Sequence, residues 1–319
     1  MAQRIVLDTD MGSDVDDALC LALGLAAPEL EILGIVSIGN ESRRRAQIAR
    51  KLLELARRTE IPVFAGCRVP LLGGARGFNW FGHEAGATLG PGEEPPIADE
   101  HGVDALIRIC HEYDDVEVVA IGPLTNLAVA LAKEPDLAGR IARITIMGGH
   151  LRRAEYGGHL FAPGVDYNMC SDPHASLVVC RSGVPIRLVT ADVTLSTWLT
   201  DDELGRIAAA PGDLHRVLAA EVAAWTGLQK RIFGGLGCDT NDDNAAFLHD
   251  PLTLGCVYDE SFCSFEDLEV EPRIDARGVF HTIERSVAQD ASFPMRCATA
   301  VDAKAFRAHF IERVLSLAP

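Results

Sequence analysis

The stretch Leu7–Leu19, LDTDMGSDVDDAL, decides the fold. It follows the apolar run Ile5-Val6 and sets five aspartates, Asp8, Asp10, Asp14, Asp16 and Asp17, into ten residues. Arg4–Asp8 reads as a buried strand, and Asp14–Ala27, stopped by Pro28, as a helix. A strand that passes through a polar turn straight into a helix is half of an α/β unit. Carboxylates this close repel one another: a like pair at ~4 Å costs roughly 4 kcal/mol at an effective dielectric of about 20. Ser13 or Asp14 as a helix cap, with Asp16 and Asp17 in the first turn, recovers about 0.3–1 kcal/mol per acid from the helix dipole. That accounts for the later acids and leaves Asp8 and Asp10 unexplained.

A calcium loop between two helices requires Gly at its sixth place and Glu at its twelfth. Counted from Asp8, those places hold Ser13 and Leu19, and a strand precedes the loop. This reading is discarded. What remains is a hard-cation site at the edge of an α/β sheet, where oxygen ligands favour calcium or magnesium over zinc. Such an ion needs ligands from distant segments, and Asp250 in FLHDPLTLG is a candidate.

Outward from this stretch the same rhythm continues. Strands are predicted at 32–38, 62–65, 116–121, 141–147 and 186–190, with helices at 42–58, 100–113, 123–132 and 173–181. Residues 66–99, rich in Gly and Pro, read as one long loop, and unstructured loops of that size are usually functional or disordered. The region 200–233 is helical with breaks. Strands recur at 268–274, 279–285 and 297–301, and Ala303–Leu317 closes the chain as a helix. Alternation of this kind implies one α/β domain over residues 1–319, a mostly parallel sheet covered by helices with a small mixed C-terminal part. Ligands of open α/β sheets bind beyond the carboxyl ends of the strands. There the chain places Asp8–Asp17, Gly39-Asn40, Gly122–Asn126 and Gly148-Gly149.

Composition narrows the partners. With 48% hydrophobic and 24% charged residues the chain is of globular type. A net charge of −17 disfavours nucleic acid and anionic membrane surfaces. The longest apolar stretch, Ala18–Ala27, is too short to span a bilayer, and the N-terminus lacks the apolar core of a secretory signal, so a cytoplasmic location is expected. Nine scattered cysteines without zinc-like spacing read as buried, reduced thiols.

Five blocks, IVLDTDMGSDVDDAL, GPLTNLA, IMGG, DYNMCSDPHAS and HDPLTL, stand in an order and separation that resembles the nucleoside hydrolases of the inosine–uridine-preferring type. The resemblance implies a bound Ca2+ and hydrolysis of the N-glycosidic bond of ribonucleosides. It makes Asp10 a calcium ligand and the base that activates water, with Asp17, the Thr125 carbonyl and Asp250 as further ligands. Asp16, Asn40, Asn168 and Asp250 resemble the ribose-hydroxyl contacts, and His249 the group that assists the departing base. It also implies dimers or tetramers.

The chain departs from the pattern in three places. Met11 stands where the family motif has proline, and two extra residues precede the Asp16-Asp17 pair, so Asp14 is an additional acid. Leu160 and Asp166 replace an amide and a longer acid expected near the sugar 5′ end. His83, in GHEAG, matches the loop histidine with its neighbours changed.

The chemistry fits these residue types. Breaking a ribosyl C–N bond develops positive charge on the sugar and negative charge on the base. A carboxylate base, a net negative sugar site and an imidazole near the base meet those needs. Trp225, Gln229 and Phe233 fall at helical i+4 spacing and read as a wall for the base, or equally as core. Trp80 in Asn79-Trp80-Phe81 reads as part of a lid. Two rivals remain open. One is a phosphohydrolase of the haloacid-dehalogenase kind, which needs a lysine near its aspartates. The other is a non-catalytic calcium or nucleoside binder that kept the fold.

Overall fold

The structure, a computed structural model, describes residues 2–12, 14–72 and 85–318. In chain order the elements are β1 (Gln3–Thr9), α1 (Asp16–Leu25), β2 (Leu30–Ser37), α2 (Ser42–Leu55), β3 (Val63–Ala65), α3 (Ala85–Thr88), α4 (Gly102–Glu112), β4 (Glu117–Ala120), α5 (Thr125–Lys133) and β5 (Arg143–Met147). A hairpin follows, β6 (Ala154–Tyr156) and β7 (His159–Phe161), then α6 (Tyr167–Ser171), α7 (Pro173–Cys180), β8 (Ile186–Val189) and α8 (Ala191–Thr194). The last third holds β9 (Trp198–Thr200), α9 (Asp201–Ala209), α10 (Asp213–Gly235), β10 (Asn244–Phe247), α11 (His249–Tyr258), β11 (Cys263–Ile274), β12 (Phe280–Arg285), β13 (Phe293–Val301) and α12 (Ala303–Leu315).

Among the described residues a nine-stranded sheet runs in the order β12-β11-β13-β8-β5-β4-β1-β2-β3. Every neighbouring pair from β13 to β3 is parallel; β11 pairs antiparallel with β12 and with β13. Both faces are covered. Ile5 and Leu7 of β1 face one apolar layer with α1, α11 and α12, while Val6 faces the other with α4, α5 and α7. That alternation is the pleat of a strand buried on both sides, and it explains the unbroken apolar run before Asp8. At the opposite end of the strands, Arg187 is buried against Glu117 at 2.7 Å and Glu260 at 3.0 Å, so these interior charges are paired.

The C-terminal strands extend the main sheet through the parallel β8–β13 contact, and β11 and β13 are longer than the sequence suggests. Helix α1 begins at Asp16, two residues later than predicted, because the Asp14 carboxylate accepts from the Val15 amide at 2.6 Å. The hairpin β6–β7 and the pair β9–β10 are three or four residues per strand, too short to leave a two-residue period in the sequence. The nine cysteines are free thiols, most of them buried. No helix among the described residues is long and apolar enough to cross a membrane.

Helix α10 packs on α3, where the Thr88 hydroxyl donates to the buried carboxyl of Glu221. Burial pushes Glu221 up to about 7. An unperturbed glutamate titrates near about 4.3, so between these values the folded chain holds more protons than the unfolded chain. Stability from this group is full below that range and is lost as pH rises through the folded value. Glu221→Gln keeps an acceptor for Thr88 and is expected to match the parent at pH 4 while exceeding it by roughly 2–3 kcal/mol at pH 8. Denaturant unfolding at the two pH values measures this; parallel pH dependences of the two proteins would contradict it.

Candidate active site

Strand β1 lies between β2, from which the chain continues to one edge, and β4, from which it continues to the other. The crevice at such a reversal of strand order is where open α/β sheets bind ligands. Asp10 follows β1 directly. Gly122, just past β4, approaches it so closely that a Cβ there would lie 2.7 Å from Asp10 Oδ1 and 2.9 Å from its backbone nitrogen. Any side chain at 122 would displace Asp10, so this glycine fixes the β4–α5 turn against the acid.

Two features hold the aspartate loop. Gly12 turns at φ 96°, a left-handed conformation that a side chain disfavours. Arg45, buried on α2, donates to the carbonyls of Asp10 and, at 2.9 Å, Met11. Met11, which replaces the proline of the family motif, is fully buried in the core. Thr9 links the loop to the helix: its hydroxyl donates to Asp17 and accepts from the Met11 amide at 3.1 Å. Asp8 belongs to the strand ends instead. The Asn126 amide donates to it at 2.8 Å and to the Ser37 carbonyl at 3.2 Å, while Asn126 Oδ1 accepts from Cys67 at 2.8 Å. One side chain of GPLTNLA thus ties the ends of β1, β2 and β3 together. Burial pushes Asp8 up to about 7.

Asp16, Asp17 and Asp250 offer carboxylate oxygens that all lie within 4.8 Å of one another, and all three are buried. Burial raises each of them well above the usual carboxylate range; repulsion from Asp10 adds to it at all three, from Asp16 at Asp17, and from Asp16 and Asp17 at Asp250. Asp14 adds repulsion at Asp16 and Asp250, so the extra acid faces the same point. Arg45 opposes this at Asp17. The donor set is therefore all oxygen, excess in negative charge and drawn from segments more than 230 residues apart in sequence. It fits a hard divalent cation.

These acids open onto a cavity of about 310 Å³. Asp10, Asp14, Asp16, Asp17, Asp166, Asn168, His249 and Asp250 supply much of its polar lining, and Phe161, Leu195, Trp225, Ile232 and Phe233 much of its apolar wall. An apolar pocket with a few converging polar groups is the usual form of a small-molecule site. His249 stands on α11 between the acids and the aromatic wall. Its ring stacks on Phe247 at 5.0 Å between centroids and 24° between planes, and burial pushes its pKa down to about 4. Tyr156, Trp198 and Phe233 pack around Phe247, and Phe161 packs on Phe233.

The structure thus brings Asp10, Asp16, Asp17, Asp250, His249, Asp166, Asn168 and Trp225 to one cavity. Asp166 also caps α6, accepting from Met169 at 2.9 Å, and Asn168 donates to the carbonyls of Ile121 at 3.0 Å and Met147 at 3.2 Å. Three of the expected residues stand outside the cavity lining among the described residues. Gln229 does not line the cavity: its amide joins Asn244 at 3.1 Å to the Phe247 backbone at 3.1 Å and so holds β10 against α10. Asn40 is solvent-exposed beyond β2, outside the cavity lining among the described residues. Thr125 is buried at the start of α5, where its hydroxyl donates to Asp172 at 2.8 Å. Trp80 and His83 lie outside the described residues.

Sequence reading missed His150, Arg45, Thr194 and the hairpin aromatics. The ring of His150 borders the cavity, with Nδ1 3.3 Å from the Val165 carbonyl and Nε2 without a hydrogen-bond partner among the described residues. Its only signal was its place one residue after the Gly148-Gly149 turn. Arg45 stands beside Arg43 and Arg44, and nothing in the sequence sets it apart from them. The lysine that a phosphohydrolase would need is not in the cavity lining: Lys51 pairs with Glu93, Lys133 with Asp104, and Lys230 donates to the Asp242 carbonyl.

The chain is thus an α/β protein with a cluster of buried acids and an apolar-walled cavity at the switch point of its sheet. The family model for inosine-uridine preferring nucleoside hydrolases matches residues 5–308. The pyrimidine-specific ribonucleoside hydrolase of Escherichia coli O81 (strain ED1a) is 31% identical over 260 residues, covering 80% of this chain and 79% of that protein. A probable uridine nucleosidase 1 of Oryza sativa subsp. japonica is 26% identical, covering 86% and 82%. Among solved structures, the purine-preferring ribonucleoside hydrolase from Gardnerella vaginalis aligns with a TM-score of 0.83 at 25% identity over 98% of both chains. A plant nucleoside hydrolase aligns at 0.85 over 99% of this chain and 100% of that one, at 24% identity. The chain belongs to the inosine-uridine preferring nucleoside hydrolase family, and its class of reaction is hydrolysis of the N-glycosidic bond of ribonucleosides.

Proposed function

We propose that the cavity binds a ribonucleoside with its sugar against the carboxylates and its base against the aromatic wall, and that the enzyme depends on calcium. The observation that carries this is the convergence of Asp16, Asp17 and Asp250 beside Asp10 at one end of the cavity, with His249 facing the apolar remainder. Asp10, Asp17 and Asp250, with the Thr125 carbonyl, would hold the ion. When bound, Ca2+ supplies the positive charge that offsets the acids and gathers water and the vicinal sugar hydroxyls.

The chain's own groups do the rest. Asp10 takes the proton from the attacking water. Asp16, Asn168 and Asp250 accept from or donate to the 2′- and 3′-hydroxyls and orient the anomeric carbon. The remaining negative charge favours the cationic sugar of the transition state. Trp225 and Phe233 flank the base, and His249 donates to it as the bond breaks. Asp166 is placed for the hydroxymethyl end of the sugar. Trp80 and His83 belong to this reading as contacts from the loop, and Asn40 as a sugar contact only if the loop after β2 turns inward on binding. A cytoplasmic location and assembly into dimers or tetramers are part of the same proposal; light scattering on the purified protein reads the assembly.

A reducing-sugar assay over purine and pyrimidine ribonucleosides tests the reading. Ribose release is expected from at least one class, lost on chelation and restored by added calcium. Unchanged turnover after exhaustive chelation would overturn the metal assignment. Tight calcium binding with no turnover on any nucleoside would favour the non-catalytic binder.

A further inference from the structure

Thr194 closes helix α8, four residues that leave the end of β8. Its side chain is fully buried, and its Oγ1 lies 2.6 Å from Nδ1 of His249. The other polar atom within reach of that hydroxyl is the Ala191 carbonyl at 3.4 Å, at the edge of hydrogen-bonding distance. Helix α8 is held rigidly. The Asp192 carboxylate accepts from the backbone of Leu151 at 2.9 Å and Arg152 at 3.2 Å, and Leu195 lines the cavity. On its other side the imidazole lies flat on Phe247. Among the described residues the ring therefore has one polar partner, at Nδ1, and it lines the cavity.

An uncharged imidazole has one nitrogen that donates and one that accepts, and the partner of one sets the role of the other. To stabilise negative charge on a departing base, His249 must carry its hydrogen on Nε2. That requires Nδ1 to accept, and so requires a donor there. A hydroxyl qualifies where a carbonyl or carboxylate would impose the opposite tautomer. The 2.6 Å contact to Nδ1 is far shorter than the 3.4 Å contact to the Ala191 carbonyl, so the Thr194 proton goes to Nδ1.

We propose that Thr194 is a positioning residue that fixes His249 in the Nε2–H tautomer, so that the neutral ring donates a hydrogen bond to the leaving base. This rests on the nucleoside-hydrolase reading of the cavity. No proton leaves the ring. The C1′–N bond breaks with its electron pair going to the base, which departs as the anion and takes a proton from solvent. Water adds to C1′ and gives its proton to Asp10. A neutral imidazole acting by donation alone is sound chemistry where no stronger acid is available.

The test compares the parent with Thr194→Val, which keeps the shape and removes the hydroxyl, and Thr194→Ser, which keeps the hydroxyl. Each is assayed with uridine, inosine and p-nitrophenyl riboside, whose leaving group needs no assistance. Thr194→Val is expected to lose about 10–100-fold in kcat on the two nucleosides, with KM nearly unchanged and nitrophenyl riboside turnover within about threefold. Thr194→Ser is expected to stay near the parent on all three. Equal losses on nucleosides and nitrophenyl riboside, no loss on either, or a serine variant as impaired as the valine would overturn the proposal. A second measurement needs no foldable valine variant. Nitrogen-15 shifts of labelled histidine in the parent, assigned by difference from His249→Gln, are expected to show hydrogen on Nε2, and hydrogen on Nδ1 would overturn it. Absence of turnover by the parent on all three substrates overturns the parent reading itself, which separates that failure from a failure of Thr194 alone.

Discussion

Asp10→Asn is expected to lower ribose release by about 10³-fold or more while leaving the protein folded and, without a cation, more stable than the parent. The two effects have one cause. Asparagine has the shape of aspartate, so the close contact with Gly122 and the Arg45 bond to the backbone at residue 10 persist. What is lost is a base, and positioned bases contribute about 10²–10⁴-fold. What is also lost is one of several mutually repelling carboxylates, since Asp10 raises the pKa of Asp16, Asp17 and Asp250. Activity on inosine and uridine, together with melting temperature in chelator, measures both. A variant that keeps a tenth of parental turnover, or that melts well below the parent in chelator, would contradict the assignment.

His249→Ala is expected to discriminate between leaving groups. On inosine or uridine the departing base is a poor anion, and loss of the donor is expected to cost about 10²-fold in kcat or more. On p-nitrophenyl riboside the phenolate leaves unaided and the loss should stay within a few-fold. The stacked position on Phe247 makes some repacking unavoidable, but a general loosening of the cavity would impair both substrates alike. Equal losses would remove His249 from leaving-group assistance and assign it to packing.

Much of this was legible in the sequence because the signals were local. Unbroken apolar runs ending in small or acidic residues marked β1, β4 and β5, and the parallel sheet puts their ends side by side. The convergence of Asp10 and Asp17 with Asp250 came from block order and the family resemblance; periodicity alone could not have brought residue 250 to residue 16. The misses are contacts made by tertiary packing. Arg45 looks like its neighbours Arg43 and Arg44 until α2 is laid against β2 and β3, when it becomes the buried clamp of the aspartate loop. Gln229 has the spacing of a pocket residue, yet the unforeseen strand β10 takes both ends of its amide. Thr194 carries no sequence signal at all; its meaning comes from the Nδ1 it reaches across 55 residues. The hairpin that supplies Tyr156 and Phe161 was too short to show a period.

Calorimetric titration of calcium into chelator-stripped protein bears most directly on the acidic cluster as a cation cage. The parent is expected to bind one ion per chain, Asp17→Asn and Asp250→Asn to lose that heat, and ribose release to return in step with occupancy. A parent that takes up no divalent cation and still liberates ribose, or charge-deleted variants that bind as the parent does, would contradict it.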